Sequence, residues 1–286
     1  MDKLEMRKSL KDRKRIVIKV GSASITHEET GGLYLSKIEK LVRVISDLKE
    51  EGKEVILVSS GAIACGRHAL SVKRRPHDMA EKQAFAAVGQ ARLMMTYQRI
   101  FSEYSQTAAQ LLLTKNIMLE EDSRRNVSNT FSELLKLGAI PIVNENDTVS
   151  TAEIPHVETF GDNDQLAAIV AAITHADLLI LLSDIDGLFT DDPKKNPEAK
   201  LIDFIPVITE NILEMGKGSS SNVGTGGMSS KLAAARIATD SGSDMVIAQF
   251  TDADVISDII NGEAVGTLFA AHRNQNFNLL EYIAEM

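Results

Sequence analysis

The chain has 286 residues, of which 44% are hydrophobic and 25% are charged, a balance typical of a folded globular protein. This composition excludes collagen, a coiled coil and an intrinsically disordered chain. The 31 Lys and Arg residues against 40 Asp and Glu residues leave a net charge of −9. Two basic clusters, at residues 8–15 and 73–75, are short and are interpreted as solvated surface, so nucleic acid is not expected as a partner.

The cysteine content and the hydropathy pattern predict a cytoplasmic protein. The single cysteine, Cys65, excludes an internal disulfide framework and is compatible with a reducing cytosol; its simplest interpretation is a small buried residue. The apolar stretch at residues 166–182 is interrupted by Thr174, His175 and Asp177, so it is neither a membrane span nor an export signal. No membrane partner is therefore expected.

Short apolar runs rich in β-branched residues alternate with helical patterns along the chain. Strands are predicted at residues 16–20, 55–58, 140–143, 178–182 and 245–248. Helices are predicted at residues 36–51, 78–104, 123–137, 164–174 and 228–241. Near-continuous apolar strands are typical of a parallel sheet that is buried on both faces. The alternation predicts an α/β fold, a three-layer αβα sandwich around a mainly parallel sheet.

The first predicted helix carries a start and a stop signal. Ser36 and Glu39 match a capping box, which predicts that the helix begins there. Gly52 follows the last apolar position, where a left-handed residue is favoured.

No change of composition and no linker divides the chain decisively. The best candidate boundary lies near Thr174, between the loop at residues 144–164 and the strand that begins at residue 178. We therefore expect one domain over residues 1–286, with a continuous sheet and two functional lobes at approximately residues 1–174 and 175–286.

The turns that follow the predicted strands contain the candidate functional residues, because open α/β sheets bind ligands at the carboxyl ends of their strands. Lys19 ends an apolar strand, where a lysine is costly unless it meets an anion such as phosphate; an edge-strand lysine that reaches solvent is the alternative. Residues 59–62 (SSGA) predict free backbone N–H groups at a helix start, which suit a carboxylate or a phosphate, or else a plain turn.

A glycine-rich segment and two acidic loops add further candidates. Residues 224–231 (GTGGMSSK) match neither a Walker A loop nor a dinucleotide fingerprint, yet glycines, hydroxyls and a lysine at a helix start favour polyphosphate. Residues 144–147 (NEND) and 161–164 (GDND) are suited to fixing an amino acid or orienting a lysine, although such loops also form plain turns. The spacing of the histidines and the lone cysteine predicts no metal site.

These segments, in this order, resemble the amino acid kinase family over about residues 15–270. Their combination is similar to the members that phosphorylate the γ-carboxylate of L-glutamate. The resemblance implies that the chain uses ATP and Mg²⁺ to make L-glutamyl 5-phosphate and ADP, the first step of proline biosynthesis. Two alternatives stay open: another activity of the family, on acetylglutamate, aspartate, carbamate or UMP, and a non-catalytic ligand sensor with this fold.

The resemblance also implies roles for individual residues. Lys19 and Lys231 would act catalytically at the transferred phosphoryl group, and Asp164 would hold their two ammonium groups in position. The residues implied in glutamate binding are Ser60, Gly61, Asp147, Asp162 and Asn163. Those implied in nucleotide binding are Lys19, Ser183, Asp184, Thr225, Gly226, Gly227, Met228, Ser229, Ser230 and Lys231. No residue is implied as a metal ligand.

The chain departs from the family pattern in three places. Position 183 is serine where threonine is common, which keeps the hydroxyl group. Residues 155–160 form a longer link than usual. After Ala271 too few residues remain for the C-terminal PUA domain that many members carry, so no role of such a domain is expected.

The resemblance extends to regulation and assembly. It implies proline as a feedback inhibitor and a homo-oligomer, a dimer or a tetramer. An apolar face on the helix at residues 78–104 either packs on the sheet or contacts a second copy of the chain; this face contains Met94, Tyr97, Phe101 and Tyr104.

Overall fold

The structure is a computed structural model that describes residues 2–149, 162–193, 195–216 and 227–285. The link at residues 155–160 and the candidate residues Thr225 and Gly226 lie outside this part of the chain. The described residues fall into two compact units. One contains residues 2–19 and 162–279, and the other contains residues 20–149 and 280–285.

The elements follow one another in α/β alternation. The described strands are β1 (Arg15–Val20), β2 (Glu54–Ser59), β3 (Ala108–Leu113), β4 (Ile140–Glu145), β5 (Leu178–Ser183), β6 (Leu188–Phe189), β7 (Leu201–Ile202), β8 (Phe204–Ile205), β9 (Asp244–Gln249) and β10 (Thr267–Phe269). The described α-helices are α1 (Lys3–Ser9), α2 (Ser22–Ile25), α3 (Leu35–Glu50), α4 (Ala62–Ala69), α5 (Met79–Glu103), α6 (Lys115–Leu119), α7 (Glu121–Lys136), α8 (Asn163–Thr174), α9 (Glu210–Met215), α10 (Met228–Ser241), α11 (Asp254–Ile260) and α12 (Leu279–Glu285).

The unit at residues 20–149 contains three parallel strands in the order β3-β4-β2. Pairing aligns Ala108 with Ile140 and Leu57 with Ile142. The core of this unit is formed by the apolar strands β2 and β4 and by one face each of α3 and α5.

In the other unit the strands follow the order β1-β5-β9-β10-β8. β5 and β9 are parallel and pair from Leu178 and Asp244 onward, whereas β10 is antiparallel to β9 and parallel to β8. Helices α8 and α10 pack against each other. The predicted class, a mainly parallel sheet flanked by helices, is confirmed.

The sequence predicts the central elements better than the edges. All five predicted strands are present, and the predicted helices at residues 78–104, 123–137, 164–174 and 228–241 correspond to α5, α7, α8 and α10. The strand β3 was not predicted, because it lies at the edge of the sheet and its residues are only partly buried, which removes the continuous apolar pattern.

The predicted capping box of the first helix is wrong, and the predicted end is confirmed. Helix α3 begins at Leu35 with Tyr34 as its N-cap residue, so Ser36 lies inside the first turn. The start is fixed by tertiary structure, because the backbone N–H of Tyr34 donates to the carbonyl of Ile25 at 2.8 Å. Gly52 has φ +84°, the left-handed conformation expected after the helix.

The packing of α8 bears on the predicted lobe boundary near Thr174. Helix α8 contacts α10, so residues 162–174 belong to the same compact unit as the C-terminal half of the chain. The compact units therefore divide the chain at a different place from the predicted lobes. The assignment of glutamate and nucleotide to those lobes stays a prediction.

Helices α4 and α5 approach each other at a pair of glycines. A Cβ atom added to Gly66 would lie 1.8 Å from the carbonyl oxygen of Phe85. One added to Gly89 would lie 1.7 Å from the carbonyl oxygen of Ala62. Since no side chain fits there, the two backbones are in direct contact, next to the first turn of α4.

Helix α5 has 25 residues and an apolar face that is buried within its own unit. Met94 is 4% exposed, and Tyr97 and Phe101 are fully buried. This face therefore packs on the core, and the homo-oligomer stays a prediction that rests on the family resemblance. In the described parts of the chain, no helix combines the length and apolar character needed to cross a bilayer.

Candidate active site

A buried carboxylate lies between two lysines in the unit that contains α8 and α10. Lys19 Nζ lies 2.5 Å from Asp164 Oδ1, and Lys231 Nζ lies 3.0 Å from Asp164 Oδ2. The side chains of Lys19, Asp164 and Lys231 are 8%, 0% and 6% exposed. Two ammonium groups and one carboxylate leave one net positive charge in a nearly dry environment, which is suited to an anion.

Three elements distant in sequence bring these side chains together. Lys19 lies at the carboxyl end of β1, Asp164 in the first turn of α8, and Lys231 in the first turn of α10. The apolar run of β1 buries the lysine stem, and Asp164 is favoured at its position because a negative charge stabilises a helix start. Lys19 thus meets one anionic group, the Asp164 carboxylate, and phosphate as its partner stays a prediction.

The two lysines keep Asp164 ionised. Burial by itself raises the pKa of this carboxyl group, but the charges and hydrogen bonds of Lys19 and Lys231 outweigh burial and hold the pKa below its ordinary value. Asp164 therefore carries its negative charge throughout the neutral pH range and restrains both ammonium groups.

Asp162 links the starts of α8 and α10, and its pKa is shifted in the opposite direction to that of Asp164. It is the N-cap residue of α8; its Oδ1 accepts from the backbone N–H of Asp164 at 3.3 Å, and its Oδ2 accepts from Ser230 Oγ at 3.0 Å. Burial and the neighbouring charge of Asp164 raise the pKa of Asp162. Asn163 follows it as the first residue of α8 and is half-buried.

The other candidates of this unit lie at the end of β5 and the start of α10. Buried Ser183 donates from Oγ to Asp184 Oδ1 at 3.0 Å, and Gln249 Nε2 donates to the carbonyl of Asp184 at 3.3 Å. Gly227 is the N-cap residue of α10 and accepts from the backbone N–H of Ser230 at 3.1 Å. Met228 and Ser229 are the first two residues of α10, half-buried and exposed respectively.

In the unit at residues 20–149, Ser60 and Gly61 form the turn between β2 and α4. Gly61 has φ +102° and is the N-cap residue of α4, so the turn requires a residue that tolerates the left-handed conformation. The backbone N–H of Ser60 donates to the carbonyl of Val20 at 3.2 Å. Both candidates are half-buried.

The loop that contains Asp147 follows β4 in the same unit. Asn144 is buried; its Nδ2 donates to Gln90 Oε1 at 3.0 Å, and its Oδ1 accepts from the backbone N–H of Glu145 at 2.9 Å. Asp147 is half-buried, and burial raises its pKa although the nearby charge of Lys82 lowers it. A cationic ligand group would therefore stabilise the ionised form of Asp147.

Sequence analysis did not identify two residues of α5 that form hydrogen bonds to the strand ends before these loops. Gln90 bonds to Asn144, and the Tyr97 hydroxyl lies 2.9 Å from Ser59 Oγ. Their sequence signal is only a polar atom on an otherwise apolar helix face, and the partners are distant in the chain. Cys65 is confirmed as a buried residue, and burial raises the pKa of its thiol.

The carboxylates of Asp162 and Asp164 do not fit a metal ion held by the protein. Both oxygens of Asp164 face lysines, and both oxygens of Asp162 accept hydrogen bonds. Among residues 2–149, 162–193, 195–216 and 227–285, no group of three His, Cys, Asp or Glu side chains is placed to hold a metal. The arrangement fits an anion such as a phosphate group instead.

Comparison with known proteins gives consistent results. Residues 14–249 match the profile of the amino acid kinase family. The glutamate 5-kinase of Clostridium perfringens is 50% identical over 270 residues, covering 94% of this chain and 100% of that protein. The glutamate 5-kinase of Enterococcus faecalis is 50% identical and covers 92% and 97%. A crystal structure of T. acidophilum isopentenyl phosphate kinase has the same fold, with a TM-score of 0.62 at 17% identity over 90% of this chain and 100% of that one.

The opposite pKa shifts of the two aspartates predict opposite effects on stability. Asp162 has a raised pKa, so its stabilising contribution is complete below about pH 4, the unfolded value, and is lost as the pH rises through the folded value. Asp162→Asn keeps the capping oxygen and has no such loss. The stability of this variant relative to wild type, measured by urea unfolding, should therefore be higher at pH 7 than at pH 4.

Asp164→Asn is the matched comparison. In the wild type, the lowered pKa of Asp164 gives stability that is present above about pH 4 and is lost as the pH falls. The Asn variant lacks this stability, so it should be about 3–5 kcal/mol less stable than wild type at pH 7 and closer to wild type at low pH. Equal pH dependence in both variants would contradict the opposite shifts.

Proposed function

Because the chain belongs to the amino acid kinase family, and within it to the glutamate 5-kinases, we propose that it transfers the γ-phosphoryl group of ATP to the γ-carboxylate of L-glutamate. The products are L-glutamyl 5-phosphate and ADP, and the reaction is the first step of proline biosynthesis. The observation that carries the proposal is the buried pair of lysines that share Asp164.

The proposed phosphoryl transfer requires the kind of groups that Lys19, Asp164 and Lys231 provide. The γ-carboxylate of glutamate has a pKa of about 4.3, so it is ionised at neutral pH and attacks phosphorus without a general base. The enzyme must supply alignment and positive charge for the phosphoryl group in the transition state. Lys19 and Lys231 supply that charge, and Asp164 neutralises one of the two ammonium groups and fixes the direction of both.

Nucleotide binding is assigned to the ends of β1 and β5 and to the start of α10. The residues proposed to contact ATP are Lys19, Ser183, Asp184, Thr225, Gly226, Gly227, Met228, Ser229, Ser230 and Lys231. Backbone N–H groups and hydroxyls at the start of α10 suit phosphate oxygens. Mg²⁺ bound with ATP would be held largely by the phosphates and would neutralise part of their charge.

Glutamate binding is assigned to Ser60, Gly61, Asp147, Asp162 and Asn163. The substrate carries an α-ammonium group that only a fixed anion stabilises, and Asp147 is a half-buried carboxylate of that kind. The N–H groups at the start of α4 suit a carboxylate of the substrate. An N-acetylated substrate has no ammonium group and gains nothing from Asp147.

The remaining assignments follow from the family. We propose that residues 1–174 bind glutamate and residues 175–286 the nucleotide, that the protein acts in the cytoplasm, and that it forms a homo-oligomer, a dimer or a tetramer. Light scattering at micromolar concentration measures the oligomeric state.

One assay tests the proposed reaction against its alternatives. ADP release from ATP is measured with glutamate, N-acetylglutamate, aspartate, carbamate and UMP as acceptors. Glutamate should give the highest kcat/KM. A preference for another acceptor would assign another activity of the family, and no ADP release with any acceptor would favour a non-catalytic ligand sensor.

Replacing either lysine should abolish most of the activity while the fold persists. Lys19→Ala and Lys231→Ala each remove one charge that acts mainly in the transition state, so kcat should fall about 10²- to 10³-fold. Lys200→Ala, at an exposed lysine, is the control and should keep wild-type kcat. Near wild-type kcat in either site variant, measured by ADP release, would contradict the assignment.

Asp147→Asn should weaken glutamate binding selectively. The substitution keeps the size of the side chain and removes the charge that meets the α-ammonium group, a contact of roughly 1.5–3 kcal/mol. KM for glutamate should rise about 10- to 100-fold while KM for ATP stays nearly unchanged. Asp122→Asn, at an exposed carboxylate, serves as the control. Equal changes in both KM values, or none, would mean that Asp147 only forms a turn.

Proline should inhibit competitively with glutamate. This expectation comes from the feedback role in the family, and the overlapping site is proposed in the loop at residues 144–164. Initial rates are measured at millimolar proline with glutamate below its KM. Inhibition that is absent under these conditions, or that higher glutamate does not relieve, would contradict the proposal.

A further inference from the structure

Helix α5 is hydrogen-bonded to the ends of β2 and β4, the two strands that lead into the proposed glutamate-binding residues of the unit at residues 20–149. Gln90 Oε1 accepts from Asn144 Nδ2 at 3.0 Å, and Asn144 lies at the end of β4, just before the loop that contains Asp147. The Tyr97 hydroxyl lies 2.9 Å from the Oγ of Ser59, the residue before Ser60. Gln90 and Tyr97 lie two helical turns apart and therefore share one face of α5.

Each contact continues into the backbone of its loop. Asn144 Oδ1 accepts from the N–H of Glu145 at 2.9 Å, so the Asn144 side chain that Gln90 fixes also fixes the start of the loop. Ser59 Oγ donates to the carbonyl of Ser60 at 3.3 Å, which leaves the Tyr97 O–H to donate to Ser59 Oγ. Burial raises the pKa of the Tyr97 phenol, so it remains a donor at neutral pH.

Apolar packing alone does not explain these two side chains. Gln90 is 7% exposed and Tyr97 is fully buried, on a helix face whose other members include Met94 and Phe101. Methionine and phenylalanine have similar shapes and bury no polar atom, so they would satisfy the packing at lower cost. Among the residues that the structure describes, the hydrogen bonds of these two side chains go to Ser59 and Asn144, which points to a role in the adjoining loops.

The glycine contact holds the same two helices in place. Gly66 and Gly89 bring α4 and α5 into backbone contact, and the carbonyl that a Cβ on Gly89 would strike belongs to Ala62, in the first turn of α4. The start of α4 directly follows Ser60 and Gly61. The distance from α5 to this turn is therefore fixed by the backbones as well as by Tyr97.

We propose that Gln90 and Tyr97 are positioning residues for glutamate: Tyr97 holds the turn of Ser60 and Gly61 through Ser59, and Gln90 holds the loop of Asp147 through Asn144. Helix α5 thereby sets the spacing between the two groups of glutamate contacts. The inference rests on the proposed function, because it requires that these two loops bind glutamate.

The test uses the full-length enzyme and two nearly isosteric variants, Tyr97→Phe and Gln90→Met. Each removes one hydrogen bond to a loop, so KM for glutamate should rise about 3- to 30-fold while KM for ATP changes less than about twofold. Tyr104→Phe, at the C-cap of α5, and Gln98→Met, at an exposed position of α5, are the controls and should keep both KM values.

A double-variant comparison isolates the contact through Ser59. Ser59→Ala alone should raise KM for glutamate to about the same extent as Tyr97→Phe. Adding Tyr97→Phe to Ser59→Ala should then cause no further rise, because the bond is already absent. Independent, multiplicative effects of the two substitutions would overturn the assigned route.

The outcomes separate this inference from the proposed function. A wild-type enzyme that releases no ADP with glutamate contradicts the proposed function and the inference together. Three results with an active wild type overturn the inference alone: the Tyr97→Phe and Gln90→Met variants keep the glutamate KM, raise both KM values equally, or fail to fold. In each case Gln90 and Tyr97 have a merely structural role.

Discussion

A single carboxylate holds two ammonium groups together, and the chemistry proposed for this protein depends on that constraint. Lys19 and Lys231 come from the two sequence segments of one unit, residues 2–19 and 162–279, and both side chains are buried. Two buried cations repel each other and lose their hydration, so without Asp164 they would separate. With Asp164 between them the two ammonium groups are held close and oriented, and one positive charge is left for a ligand.

The ion pairs of Asp164 also fix the elements around it. Asp164 and Lys231 lie in the first turns of α8 and α10, so the ion pair ties two helix starts to the end of β1. Asp162 adds a second tie through Ser230 and, because it sits beside the negative Asp164, its own ionisation is disfavoured. Two carboxylates two positions apart thus have pKa values shifted in opposite directions, set by their neighbours rather than by residue type.

The sequence carries a large part of this information, and the missing part has a physical explanation. Continuous apolar runs identify the central strands, and a lysine ending such a run identifies Lys19 as a residue that needs an anion. Strand β3 and the start of α3 depend on neighbours far along the chain: β3 is half-exposed at an edge, and Tyr34 is fixed by the carbonyl of Ile25. Local patterns contain no signal for such contacts.

The candidate site likewise has features that the sequence predicts and features that only tertiary structure shows. The glycine at position 61 is dictated by its turn, and the residue types of the loops are enough to indicate polar ligands. Which residues of α5 support those loops depends on the packing of α4 against α5, and no spacing rule reports a bond between Gln90 and Asn144.

The two contacts of α5 limit how this segment changes in evolution. Each residue of a helix advances the direction of the side chain by about 100°. Inserting or deleting one residue between Gln90 and Tyr97 would turn one of them away from its loop, whereas a change of length beyond Glu103 leaves both in place. The stretch between the two polar side chains should therefore keep its length among descendants of this gene.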